Sequence, residues 1–342
     1  MDGEGICAGE YMVETKGITD DMSNNILILS CGTRDLLVRY FKRADYERVI
    51  GADCSELAPA LYEADKYYLI PRMKEEGYFD AILEICRKEG ITAILPLQED
   101  ELNLISENRE LFEQEGIRTI VSPVETLQIC RDKYCFFEHM TEHGIPVLNS
   151  YIDLAKFEKA YEAGKIGFPV FVKPVRGAGS VGVMKVSCME LLKALFAYSE
   201  EPLLIQEFCN GREFGIDVYV DLVSGEVVDI FAKEKLRMRA GETEKSVTSN
   251  DPALKEVVYR AASTLKLSGP VDMDVFEKDG IFYLSEINPR FGGGFPHAYA
   301  CGVDTPSYIL QNLQGIANES HLQEKREEIY VLKYSDILCI DR

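Results

Sequence analysis

From residue 24 onward the chain alternates between two patterns of apolar and polar positions. Short apolar runs at 25–30, 48–53, 66–70, 93–96 and 119–121 read as strands. Between them, segments at about 34–43, 78–89 and 102–115 read as helices. Strand and helix in alternation predict βαβ units, hence a doubly wound α/β sheet over residues 24–123. The first strand leads into Cys31-Gly32-Thr33-Arg34 and not into a full G-x-G-x-x-G, so no dinucleotide site is expected. Gln98, Glu99 and Asp100 follow a strand at its C-terminal end, where open α/β sheets place ligands. They are candidates for contact with the specific substrate, and plain helix capping is the alternative.

The next third of the chain changes character. A helix starts near Pro123 and Glu125 and carries Arg131-Asp132-Lys133-Tyr134. A strand ending in Lys173-Pro174 leads into Arg176-Gly177-Ala-Gly179-Ser180-Val-Gly182, and strand character resumes at 183–186. Strand, Gly-rich turn, strand describes a flap whose backbone N–H groups can wrap an oxyanion without Cβ obstruction. It is not a P-loop, because no GK[ST] is present. A helix over 189–198 and a strand over 203–209 close this unit. Residues 218–222 and 226–232 then form a hairpin across Ser224-Gly225. The stretch from Lys233 to Thr248 is the one dense basic patch and lacks helical spacing. It reads as an ordered loop beside an anionic ligand, or as a solvated loop. A helix over 251–265 follows it.

The segment that organises the rest lies at 272–290. Residues 271–276 alternate as a strand does, Lys278-Asp279-Gly280 turns, and 281–287 run back. The period of two places Asp272 with Asp274, and Glu286 with Asn288, on one face of their strands. Oxygen ligands at that density suit Mg²⁺, which takes one or two carboxylates plus substrate phosphates. Arg290 adds a positive fork beside them. A surface hairpin with a solvated acidic face is the other reading. Against it, the acids interrupt an apolar strand, and Gly292-Gly293-Gly294 follows at once, where backbone must approach something closely. A helix at 306–313 and a strand at 328–334 end the pattern.

Composition narrows the function classes. A net charge of −21 and a pI near 4.7 argue against a nucleic-acid or anionic-membrane partner. Ten scattered cysteines without a CxxC pair fit reduced thiols in a cytoplasmic protein. No apolar run is long enough to span a membrane, and residues 1–23, polar and aperiodic, read as a disordered leader.

Asp274 with Glu286 twelve residues on, then Asn288 and Arg290, resembles the metal hairpin of ATP-grasp enzymes. Biotin carboxylase and the carbamoyl-phosphate synthase large subunit are of this type. The resemblance covers residues 24–342, with elements in the expected order. It implies an N-terminal doubly wound domain (24–123), a linker helix with a small lid (124–209) and an antiparallel C-terminal catalytic unit (210–342). ATP with Mg²⁺ (or Mn²⁺) is the implied cofactor set, with Asp274, Glu286 and Asn288 on the metal. Lys133, Lys173, Arg176, Gly177, Gly179, Ser180 and Gly182 would hold the phosphates. Gln206, Glu207, Phe208 and Cys209 would form the adenine hinge, and Glu213 would take the ribose hydroxyls. Taken alone, Glu213 reads as an exposed strand-end acid. Arg239, Lys245 and Arg290 would face the transferred phosphate, with His297 either a base for the amine or a packed residue. A single unit of this kind implies an ATP-dependent carboxylate–amine ligase acting through an acyl phosphate on small-molecule substrates, with a homodimer as one possible assembly. The alternatives are a non-catalytic nucleotide binder and a phosphotransferase.

Overall fold

The computed structural model describes residues 23–177, 182–239, 241–322 and 328–340. Strands β1 (Asn25–Leu29), β2 (Arg48–Asp53), β3 (Lys66–Leu69), β4 (Ala93–Leu95) and β5 (Arg118–Thr119) form a parallel sheet in the order β3-β2-β1-β4-β5. Every residue of β1 is buried, as expected of a central parallel strand covered on both faces. Helices α1 (Asp35–Arg43), α2 (Tyr78–Glu89), α3 (Glu99–Glu107) and α4 (Arg109–Gln114) connect the strands. The sequence suggested one helix over 102–115. The chain instead starts its helix at Glu99 and breaks at Asn108, whose side-chain amide turns back onto the Leu104 carbonyl at 2.8 Å.

Helices α5 (Val124–Arg131) and α6 (Lys133–Glu142) follow. Arg131-Asp132-Lys133 is a helix break and not a helix interior. Asp132 leaves helical geometry and caps α6, accepting hydrogen bonds from the N–H groups of Tyr134 and Cys135. Phe136 and Met140 of α6 pack into the core of the large sheet described below. The small sheet comprises β6 (Ser150–Tyr151), β7 (Val170–Pro174), β8 (Met184–Val186) and β9 (Leu203–Glu207) in the order β6-β9-β7-β8. It is covered by α7 (Leu154–Glu162) and α8 (Met189–Tyr198). The β7–β8 turn is the expected flap, and its Gly179 and Ser180 lie outside the described residues.

The large antiparallel sheet holds β10 (Arg212–Val220), β11 (Val227–Arg239), β12 (Glu242–Ser249), β13 (Gly269–Lys278), β14 (Ile281–Asn288) and β15 (Tyr330–Leu332). Its order is β14-β13-β10-β11-β12-β15. Helix α9 (Pro252–Ser263) packs on one face, and α10 (Phe295–Ala300) and α11 (Thr305–Leu313) lie against the N-terminal sheet's core. The basic stretch 233–248, read from sequence as a loop, is the β11–β12 hairpin. Its charged residues conceal a strand pattern because most of them find partners across the sheet.

One buried carboxylate fixes the C-terminal helices to this sheet. Asp221, at the β10–β11 turn, accepts from the N–H groups of Val223 and Ser224, the Ser224 hydroxyl, the Asn312 amide, and both N–H and side-chain amide of Asn318. Burial alone would raise its carboxyl, but these donors outweigh burial and hold it well below the ordinary carboxylate range. A depressed folded-state pKa means stability present above the unfolded value, about 3.9, and lost as pH falls below it. Asp221→Ala is expected to cost about 3 kcal/mol or more, since several buried donors lose a charged acceptor. Urea unfolding at pH 7 checks this, and the deficit should shrink when the comparison is repeated near pH 3.

Candidate functional site

A cleft of about 520 Å³ opens where the three sheets meet. Its floor is the face of the large sheet that carries Asp272, Asp274, Glu286 and Asn288. The hairpin pairs as the sequence suggested, with Asp272 opposite Asn288 and Asp274 opposite Glu286. A bulge leaves Ser285 without a partner between Glu286 and Leu284. Asn288 donates its amide to Glu286 Oε1 at 3.1 Å, which fixes both side chains toward the cleft.

Two lysines of β11 that sequence reasoning passed over stabilise this floor. Lys235 Nζ bridges Glu213 Oε1 at 2.8 Å and Asp274 Oδ1 at 2.5 Å. Burial disfavours the Lys235 ammonium, yet Asp274 and Glu213 together raise its pKa above the ordinary value. Lys233, fully buried, donates to Asp217. Asp274 is pushed up to about 7 by burial, with Asp272 and Glu286 adding to the rise and Lys235 opposing it. A carboxylate strained by two like neighbours is where an added cation lowers the free energy most. Among the described residues no group of three or more Asp, Glu, His or Cys is arranged as a metal cage. The donor set here is two carboxylates and an amide oxygen, which fits Mg²⁺ because that ion leaves positions for phosphate oxygens.

The opposite wall comes from the small sheet and α6. Lys173 Nζ donates to Gln206 Oε1 at 2.9 Å, and burial pushes its pKa down to about 8 despite Glu286 nearby. Lys133 donates to the Gly177 carbonyl at 2.6 Å, its pKa likewise lowered by burial. Both lysines, Arg176 and Gly177 line the cleft. Arg176 is largely exposed and reaches Asp132 at 3.3 Å, so the cap of α6 also holds the flap's first residue. Gly182 adopts φ +74, and a Cβ there would press on Pro174 at 3.1 Å.

Gln206, Glu207 and Cys209 border one end of the cleft beside Glu213. Glu207 is fixed by Asn149 at 2.7 Å and Lys278 at 3.1 Å. Phe208 is not part of the lining and meets Phe171, which is, edge-on, with Lys185 Nζ 3.9 Å from the Phe208 ring centre. After this hinge Gly211 has no room for a Cβ, which would overlap the Glu277 carbonyl.

Three expected catalytic residues lie elsewhere. Leu236 bulges on β11 and Glu244 on β12, and the alternation of the hairpin is thereby reset. Lys233, Lys235 and Met238 line the cleft, whereas the Arg239 guanidinium turns to Glu244 at 3.4 Å and borders a separate cavity. Lys245 is not among the cleft's lining and pairs with Leu332 of β15. His297 is buried with Nδ1 2.5 Å from the Ser246 hydroxyl. Burial and the charges of Lys233 and Lys333 push its pKa down to about 4, so it is a neutral packed residue. Asp100 pairs with Arg131 at 2.5 Å, and neither it nor Gln98 nor Glu99 reaches the main cleft. Arg290, by contrast, lines the cleft as expected. So does Arg34 from the turn after β1, which the sequence reading did not single out. Its one available signal was position, a lone cation just past the C-terminal end of a central parallel strand.

Residues 26–120 match the family described as PylC-like, N-terminal domain, and residues 199–337 match ATP-grasp in the biosynthetic pathway with Ter operon. The D-alanine–D-alanine ligase of Geobacillus thermodenitrificans is 29% identical over 211 residues, covering 54% of this chain and 58% of the relative. The carbamoyl phosphate synthase large chain of Methanothrix thermoacetophila is 24% identical over 290 residues, covering 79% of this chain and 26% of the relative. The chain spans between 18% and 58% of the length of the curated relatives it matches. Among solved structures, the biotin carboxylase domain of Hydrogenobacter thermophilus 2-oxoglutarate carboxylase superposes with a TM-score of 0.71 at 20% identity, covering 91% of this chain and 74% of that one. An L-amino acid ligase from Bacillus licheniformis superposes with a TM-score of 0.64 at 20% identity, covering 87% and 76%. At such identities the likeness is one of fold. No helix among the described residues is long and apolar enough to cross a membrane.

Replacing Lys235 by Met should leave Glu213 and Asp274 as uncompensated half-buried acids. Removing one partner of a buried pair costs about 3–5 kcal/mol. The expected result is a lower urea midpoint for Lys235→Met, with much of the loss recovered in Lys235→Met/Asp274→Asn.

Proposed function

We propose that this chain, which carries the ATP-grasp fold, is an ATP-dependent ligase that joins a carboxylate to an amine through an acyl phosphate. One observation carries the reading. Lys133 and Lys173 face Asp274, Glu286 and Asn288 across a single cleft. Cations opposite oxygen ligands suit a triphosphate with its metal, and the hinge lies at one end to receive a base.

Glu207 and Cys209 would meet the adenine edge, Glu213 the ribose, and the two lysines with the flap's N–H groups the phosphate oxygens. Lys173 is preorganised by Gln206, so little reorganisation accompanies binding. In the first step a carboxylate oxygen attacks the γ-phosphorus, the bond from phosphorus to the β,γ-bridging oxygen breaks, and ADP leaves. In the second an amine attacks the acyl carbon, the carbon–oxygen bond to phosphate breaks, and the amine's proton passes to solvent. Arg290, which lines the cleft, would donate to the carboxylate and to the oxyanion of the second step. Mg²⁺ (or Mn²⁺) held by Asp274, Glu286 and Asn288 would neutralise charge on the transferred phosphoryl oxygens. Arg239, Lys245 and His297 have no part in this scheme. Nine free cysteines among the described residues support a reducing, cytoplasmic setting.

Two outcomes test the scheme. Glu286→Gln should abolish ADP release while ATP still binds, because the hinge and lysines hold the nucleotide independently. Turnover near the wild-type rate at saturating Mg²⁺ would remove the hairpin as the metal site. Lys173, with a pKa lowered to about 8, holds a phosphate only when protonated. Nucleotide affinity should therefore fall as pH rises above about 8, as measured by calorimetry. In Lys173→Arg the fall should disappear, since a guanidinium stays charged.

A further inference from the structure

The cleft has a second end, away from the hinge, where Arg34, Arg290, Glu242 and Gly293 meet. Arg34 sits at the N-terminal boundary of α1, its backbone held by a 2.8 Å bond from its N–H to the Cys31 carbonyl. Among the described residues its guanidinium has no hydrogen bond or ion pair. Burial and the nearby Arg290 both disfavour its charge, and only Glu242 and Asp272 offset them. Arg290 uses one nitrogen on the Phe291 carbonyl at 3.0 Å and, at a long 3.4 Å, on Asp272. Its remaining donors are free for a ligand. Two guanidiniums with unused donors, partly withdrawn from water, form a place for an anion with two oxygens.

Glu242 supplies the opposite charge. Its Oε2 is taken by Lys333, which anchors the side chain. Its Oε1 accepts no hydrogen bond among the described residues, and the carboxylate lies against Gly293, where a Cβ would come to 3.0 Å. Glycine at 293 leaves that oxygen open to the cleft. A phosphate or dicarboxylate spanning this end would be repelled by Glu242, and a simple amine would leave both guanidiniums unpaired. A zwitterion satisfies all three groups.

We propose that this end of the cleft is a subsite for a free amino acid, whose carboxylate lies between Arg34 and Arg290 and whose ammonium donates to Glu242. The proposal rests on the ligase reading, since it makes the amino acid the substrate whose carboxylate is phosphorylated. Arg34 then acts as a specificity-determining residue contributed by the N-terminal sheet.

The test offers the full-length protein ATP, Mg²⁺ and hydroxylamine with a pool of the common amino acids, both enantiomers, or a matching pool of the same acids lacking the amino group. Hydroxamates are identified by mass spectrometry. Calorimetry with a β,γ-methylene ATP analogue measures amino-acid binding in parallel. Expected are hydroxamates from the amino pool, at least tenfold fewer from the des-amino pool, and near-equal use of both by Glu242→Gln. Arg34→Ala should raise KM for the acid at least tenfold while KM for ATP stays within twofold, and Arg34→Lys should recover part of the loss. Equal use of the two pools by the wild type, or an unchanged KM for the acid in Arg34→Ala, overturns the subsite and leaves the ligase reading standing. Arg34-dependent binding of an amino acid without any hydroxamate overturns the ligase reading and supports the subsite. Neither binding nor hydroxamate from the amino pool overturns the subsite.

Discussion

The large sheet can bury acids beneath the cleft only because amines from the neighbouring strand are buried with them. Asp217 and Asp272 face each other across β10 and β13, as do Gly215 and Asp274. Lys233 lies opposite Gly215 on β11. The two lysines cross over Gly215 to reach Asp217, Glu213 and Asp274, and a Cβ at 215 would stand 3.0 Å from Lys235 Cε. Isolated charges at this depth would be expelled or neutralised. Crossed as they are, they leave Asp274 and Glu286 facing the cleft with Lys235 shared between Asp274 and Glu213. That deficit of positive charge leaves the acids of the floor only partly compensated, which is the ground for the proposed metal site.

Most of the fold could be read in advance because the N-terminal sheet and the β13–β14 hairpin follow simple periodicity. β2 and α2 appear at their expected boundaries, and the acids of β13 and β14 fall opposite each other as alternation requires. The errors have one physical source, which is that charged residues mask strand and cap signals. Lys233 to Thr248 looked like a loop because a hairpin with five cations is unusual, and only its partners across the sheet make it permissible. The paired bulges at Leu236 and Glu244 then sent Arg239 and Lys245 away from the cleft, a shift of face that no composition reveals. Asp132 was read as lying inside a helix and is instead a cap that places Lys133 at the first turn of α6. Arg34 escaped notice because its role depends on Arg290, some 250 residues away in sequence.

The overall charge of −21 and the cleft are different electrostatic objects. Seven side chains lining the cleft are Lys or Arg and six are Asp or Glu, so the lining is nearly balanced in a strongly acidic chain. Three cations without a carboxylate partner on the floor also gather on one wall, while Lys235 and Arg290 stand among the acids they pair with. Lys133, Lys173 and Arg176 come from α6 and the small sheet, whereas Asp272, Asp274 and Glu286 lie on the large sheet. A polyanion with bound cations fits between such walls, while the acidic exterior disfavours larger polyanions.

The N-terminal sheet is tied to this chemistry by aromatic packing. Tyr40 and Phe41 of α1 share one core with Phe291 and Phe295. Phe41 meets Phe291 edge-on at 5.9 Å, and Phe291 meets Phe295 at 4.6 Å. Arg290 immediately precedes Phe291, and Arg34 stands at the start of α1, so both guanidiniums hang from the same cluster of rings. Their separation is set by a close-packed interior, which resists deformation, and not by flexible loops. In the proposed subsite, positioning of this kind would remove entropy from the bound carboxylate before any bond is made. The N-terminal unit is therefore part of the site's scaffold, since detaching it would remove Arg34 and release the aromatic anchor that aims Arg290.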